Sequence, residues 1–413
     1  MRRNTSRLTA GIILGSLLTV TVAVAGRRLE QRAGSHLLDW AAIRSIARRR
    51  IGARTGSLST RERLAAEAFY AAAAEQVAPL VSAEIGAQLE HALEHPAVID
   101  RLAWIDLNLG TFQRLIGRLE TELMGTRSTP RGAGASLARI VNRSLGNHQL
   151  GWLLAFLAAK VLGQYDVSLL ASAAPTRGRL YFVEANVVST ADSLGIERNA
   201  FRTFIAIHEV THAYEFEAHP WLRAHFAALV EETLHRLAAD AGGLWGRLAN
   251  VSRGDGHWME RLMTAEQREA FSHTQALMSL LEGASNHVMH AVGARILPGF
   301  DELHERFEGR HRRRGPLEQV VLRLTGLDLK LEQYAEGERF VAAVMAHGGQ
   351  SAFARVWRGP EWLPSLAEIR APERWLARAD ALEAGTARDA DSTRDADTTR
   401  DADSTRDAEE ARS

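Results

Sequence analysis

The chain has 413 residues, 46% hydrophobic and 24% charged, with 50 basic and 50 acidic side chains and no cysteine. Such a length and balance describe a globular protein of roughly one to three domains. Zero net charge offers no polycation for nucleic acid, and the missing thiols exclude disulfides, cysteine nucleophiles and thiolate-held metal.

At the N-terminus Arg2, Arg3 and Arg7 precede a charge-free run from Leu8 to Gly26. Its length is near the lower limit of a membrane span and long for a signal-peptide core. Residues 1–26 are therefore expected to be a single-pass anchor holding the protein at a bacterial cell membrane. The alternative is a signal segment cleaved after Ala23-Val24-Ala25, releasing a secreted protein.

The following pattern is helical almost throughout. His36–Gly52 carries Leu37, Trp40, Ile43 and Ile46 at helical spacing, and Ser59 with Glu62 forms a capping-box match opening a second helix. Val98–Met124 repeats the periodicity. Leu137–Leu162 is strongly apolar, but Arg139, Arg143, His148 and Lys160 interrupt it, so a buried core helix is expected rather than a second span. Leu180–Val183 is the best strand candidate, and its free edge would suit an extended peptide. Thr264 with Gln267 opens a long helix closed by Pro298-Gly299. A further helix ends at Gly348-Gly349, and short helices around Trp357, Trp362 and Trp375 follow. The fold class is thus mainly α with a small β element, and nothing in the pattern fixes an oligomeric state.

The C-terminus repeats Arg-Asp-Ala-Asp-Ser-Thr with a period of six from Arg388, at Arg394, Arg400 and Arg406. With no aromatic and few large apolar residues it cannot offset the entropy of ordering. Residues 381–413 are expected to be a disordered tail, leaving 27–380 as the folded body.

Chemistry is concentrated in Ile205–Leu222, IAIHEVTHAYEFEAHPWL. On a helix His208 and His212 lie one turn apart on one face, so both imidazoles can reach one zinc ion. Glu209 stands about 100° round the helix, where a carboxylate can hold a water as general base. No Gly or Pro interrupts Glu197–His219, and apolar residues surround the motif, so the helix is expected to be buried. Histidines and a carboxylate inside it would be costly unless paired or metal-bound.

A catalytic zinc usually takes three protein ligands. The pattern HExxHxxGxxH is excluded, because Glu215 and Ala218 occupy the positions that need Gly and His. Glu282, in the apolar run Leu277–Leu281 and beside Gly283, fits best. Gly283 would admit a close neighbouring helix, and Asn286 could brace the ligands. Glu215, Glu231, Glu232 and His235 remain alternatives.

Several segments together resemble the bacterial zinc-dependent metalloprotease family, zincin-like, some of whose members are labelled with deazaflavin coenzyme biosynthesis. They are VLGQYD (Val161–Asp166), GRLYFVEANVV (Gly178–Val188), the HExxH stretch (Phe201–Leu222), ALMSLLEG (Ala276–Gly283), RRRGPLE (Arg312–Glu318) and GLDLKLEQYAEGERFV (Gly326–Val341). The resemblance covers nearly all of Leu37–Ala379. It implies a zincin-like, mainly helical metallohydrolase body with a glutamate as third ligand, Glu282 here. One departure is EGASNHVMH where family members read EGHAEYVMD, so Asn286 and His290 replace acids.

The expected activity is metalloprotease hydrolysis of a peptide or protein substrate, with Zn2+ on His208, His212 and Glu282 and Glu209 as base. Tyr165, Tyr214, His219 and His290 are candidates for stabilising the oxyanion. The alternative is a catalytically weak or inactive zinc-binding, membrane-tethered helical scaffold. No phosphate-cradling glycine loop supports a nucleotide-like cofactor.

Overall fold

Helix boundaries follow the capping chemistry of the sequence. In the computed structural model, which describes residues 38–125, 133–165, 178–239, 263–312 and 327–385, helix α1 spans Trp40–Ile51. Helix α2 (Thr60–Ile85) starts at the Ser59–Glu62 box, where Ser59 N–H donates to Glu62 at 2.8 Å and Glu62 N–H to Ser59 at 3.2 Å. Strand β1 (Ala97–Val98), helix α3 (Arg101–Gly125) and helix α4 (Ala133–Ala158) come next, then strands β2 (Gly163–Tyr165) and β3 (Leu180–Phe182). Helix α5 is Glu184–Leu194, α6 is Arg198–Ala218 and α7 is Pro220–Ala239. Helix α8 (Ala265–Ile296) opens at the Thr264–Gln267 box, as its spacing requires. Helices α9 (Phe300–Arg312), α10 (Leu327–Ala354, broken by non-helical backbone at Gly348 and Gly349, where the sequence places a helix end), α11 (Leu366–Arg370) and α12 (372–385) complete the described chain.

The architecture is the mainly helical one expected, with one three-stranded sheet in the order β1-β3-β2. Strand β3 pairs in parallel with β1 (Ala97 opposite Tyr181) and antiparallel with β2 (Tyr165 opposite Leu180). The strand foreseen at Leu180–Val183 therefore exists, but it is central and has no free edge. The edge beside α6 belongs to β2, a strand too short to leave a periodic signal.

Helix α6 runs through the larger core, where Phe201, Phe204, Ile207, Val210 and Ala213 are buried among residues of α2 and α8, and Phe201 and Phe204 also meet the rings of Phe300 and Phe307 on α9. Its start is fixed by Glu197, which accepts from the Asn199 and Ala200 N–H groups at 2.9 and 2.6 Å. Its end is fixed by Pro220, which opens α7 at the first helical position, where a missing N–H costs nothing. A smaller core joins α1, α3 and α4 through Ile43, Trp104, Ile105 and Leu154, so α4 is the core helix its interrupting charges indicated. Glycines bring α8 and α10 into backbone contact. A Cβ built on Gly337 would run into the Ser279 carbonyl, and one on Gly283 would lie 2.7 Å from Glu338 N.

Two expectations about the ends are revised. The membrane anchor is not supported: no helix among the described residues is long and apolar enough to cross a membrane. The run Leu8–Gly26 on which it rested lies outside those residues, so assignment to a cell membrane is withdrawn. At the other end α12 continues to residue 385. Leu382 packs against the larger core and Glu383 pairs with Arg358 at 2.7 Å and Arg355 at 3.1 Å, so 381–385 belong to the folded body. The hexad repeat lies outside the described residues.

Candidate metal centre

The HExxH residues and Glu282 meet where α6 crosses α8. Nε2 of His208 and Nε2 of His212 are 3.2 Å apart, with the rings nearly perpendicular at 85°. Glu282 Oε2 is 4.0 Å from His208 Nε2, and one donor atom from each of the three side chains lies within 4.8 Å of the others. Two nitrogens sharing a tetrahedral zinc at ordinary bond lengths stand about 3.3 Å apart, so the imidazole pair already has the required span.

The far side of each ring explains why both Nε2 atoms face inward. His212 Nδ1 is 2.7 Å from Glu215 Oε2 on the same helix. A carboxylate there accepts, so Nδ1 carries a hydrogen, and the proton His212 gives up to become a ligand is the one on Nε2, facing His208. His208 Nδ1 faces Ser285 Oγ at 2.8 Å and Met289 Sδ at 3.3 Å, both on α8. The brace expected from Asn286 thus comes from Ser285, three residues after Glu282 and on the same helical face. Glu215, weighed as a ligand, points to the outer nitrogen instead. Its spacing of three from His212 was the signal for that role.

Glu209 is 6% exposed and packs against β2. A Cβ on Gly163 would sit 2.6 Å from its Oε1, and the Tyr165 main chain donates a hydrogen bond to its carboxylate. Only glycine at 163 leaves room for this carboxylate, and no local pattern in the sequence marks that contact.

Electrostatics in this site are dominated by burial. Burial pushes the Glu209 carboxyl up to about 7, His212 opposing and Glu282 adding to the rise. Burial likewise lifts Glu215 to about 7, against the pull of His212. Burial would lower His212, but Glu215, then Glu282 and Glu209, carry it up to about 9. His208 is driven well below its ordinary value by burial and by His212, so its ring is neutral. Imidazole nitrogen with carboxylate oxygen, gathered in a desolvated site, is a zinc donor set. The residues present fit the ion.

The four oxyanion candidates have other partners. The Tyr165 hydroxyl bonds Glu217 and accepts from Arg223 at 2.8 Å. Tyr214 bonds Ser82. His219 Nδ1 donates to the Glu215 carbonyl at 2.9 Å with its ring stacked on Trp357. His290 faces Glu338 at 3.5 Å. Among the alternative ligands, Glu232 pairs with Arg236 at 3.0 Å, and neither Glu231 nor His235 joins the group around His208.

Comparison with known proteins agrees with this geometry. A solved structure, described as a candidate hydrolase with a novel fold from Chloroflexus aurantiacus, is 37% identical. The match covers 83% of this chain and 99% of that one, with a TM-score of 0.62. No curated protein sequence matches. The sequence profile described as zincin-like metallopeptidase matches residues 38–376. Neither match bears on the deazaflavin label. With most of its length inside that profile and HExxH facing a glutamate across two helices, the chain belongs to the zincin-like metallopeptidase family.

Proposed function

We propose that this protein is a zinc-dependent peptide-bond hydrolase, with His208, His212 and Glu282 as the metal ligands and Glu209 as general base. The convergence of three donors of zinc-ligand chemistry, two of them 3.2 Å apart, is the observation that carries this reading. When bound, zinc supplies Lewis acidity to a carbonyl and acidifies water.

The chain's own residues do the rest. Glu215 and Ser285 hold the imidazoles with Nε2 inward. Glu209, lifted by burial, takes a proton at its carboxylate near neutral pH and returns it to the departing amine. Strand β2, at the sheet edge against α6, offers main-chain groups along which an extended peptide can lie.

The test uses the full chain with measured zinc content and an unbiased set of quenched fluorescent peptides. Glu209→Gln should keep the metal and lose turnover by about 10²–10⁴-fold. Wild-type protein that holds zinc and cleaves nothing would leave a zinc-binding helical scaffold without catalysis. Protein that takes up no zinc at these residues would end both readings.

A further inference from the structure

A second group of ligand-type side chains lies beyond the metal centre, where α8, α9 and α10 meet. The rings of His290 and His304 have centroids 4.3 Å apart and are inclined at 61°. That arrangement parallels the His208–His212 pair, whose centroids are 4.6 Å apart. His290 Nε2 is 3.5 Å from Glu338 Oε1, closer than His208 Nε2 is to Glu282. His304 Nδ1 is buried and has no hydrogen-bond partner among the described residues.

The surroundings make these side chains available to an ion. His304 is held by the stacked Phe300 ring and by Phe204, one turn before His208 on α6. Burial, then the neighbouring His290, brings His304 down to about 4, so its ring is neutral at physiological pH. Glu338 follows Gly337, and the backbone contact of that glycine with α8 sets the carboxylate beside His290. His290 and Glu338 are 41% and 39% exposed, so both can rotate toward the fixed His304. Rotation is required, because among the described residues only His208, His212 and Glu282 already have donor atoms all within 4.8 Å.

We propose that His290, His304 and Glu338 form a second, weaker site for a divalent transition metal. Two imidazoles and a carboxylate suit Zn2+ or Ni2+ rather than the hard ions Mg2+ and Ca2+. Eight residues of α8 separate His290 from Glu282, about 12 Å along the axis. That is too far for an ion here to share a bridging ligand with the first, as two-metal hydrolases require at about 3.5–4 Å. The second ion would be auxiliary. This inference stands apart from the hydrolase reading, since none of its residues belongs to the first tripod.

Titration of chelator-stripped full-length chain with Zn2+ against a chromophoric competitor tests it. Wild type should take up two ions, the second with lower affinity. His290→Asn and Glu338→Gln, at half-exposed positions, should each abolish the second uptake while the first is unchanged. The double variant His208→Asn/His212→Asn should lose the tight ion and keep the weak one. His304→Ala should behave like His290→Asn, with far-UV circular dichroism checking its fold because its ring is packed. A single ion in wild type, or a second ion that survives His290→Asn and Glu338→Gln, overturns the proposal.

Discussion

Replacing Glu215 with Gln isolates the part of the centre that holds its ligands in place. Glu215 is fully buried, with Oε2 2.7 Å from His212 Nδ1 and its other oxygen, Oε1, without a protein partner among the described residues. An amide of the same shape still accepts from Nδ1–H but carries no charge. A hydrogen bond to a charged group contributes about 1.5–3 kcal/mol and a neutral one about 0.5–1.5, so the loss is about 1–1.5 kcal/mol. That corresponds to roughly tenfold weaker zinc binding, at the lower end of the 10–100-fold usual for such supporting residues. Glu215→Ala should reach the upper end, because it also leaves Nδ1–H buried and unpaired. Competition titration with a zinc chelator reads both values on folded protein. If Glu215→Gln binds zinc as tightly as wild type, the orienting role is refuted. The His212–Glu215 pair would then be an ordinary buried contact.

Gly337→Ala should separate α8 from α10, because its Cβ would run into the Ser279 carbonyl. A cost of about 1–3 kcal/mol and weaker zinc binding through displaced Glu282 are expected, read by thermal unfolding and zinc titration. Gly309→Ala, with nothing within 4 Å of its Cβ, is the control and should be neutral or slightly stabilising. Gly163→Ala should lower turnover far more than metal content, since its Cβ would displace Glu209 and none of the three ligands. Equal loss of both would contradict the placement of Glu209 on β2.

For pH, His212 in the metal-free protein holds its proton up to about 9, so zinc must expel it. Apparent affinity should rise about tenfold per pH unit up to that value, with about one proton released, measured by calorimetry in two buffers of different ionisation enthalpy. His212, Glu209 and Glu215 share one sign for stability, while His208, whose value is lowered by burial and by His212, has the opposite sign below the ordinary His value. The folded metal-free chain binds more protons than the unfolded one between the ordinary His value and about 9 at His212. It does so between the ordinary Glu value and about 7 at Glu209 and Glu215. Its stability should therefore fall from about pH 6.5 to 9, where the lowered histidines no longer titrate, and zinc should reverse the trend. Melting temperatures across pH, with and without chelator, check this.

Much of this protein is local and therefore readable in one dimension. HExxH on an uninterrupted helical run puts two imidazoles one turn apart whatever surrounds them. Ser59–Glu62 and Thr264–Gln267 set helix starts by hydrogen bonds spanning three residues. A carboxylate in an apolar run beside glycine marked Glu282 as needing a partner. The tertiary structure decided what depends on the meeting of distant segments: Ser285 rather than Asn286 behind His208, β2 rather than β3 at the free edge, Gly163 under Glu209, and Gly283 against Gly337. Each is a contact between segments tens of residues apart, fixed by how helices pack and strands pair. Periodicity shows which face of an element is buried, but not what will lie against it.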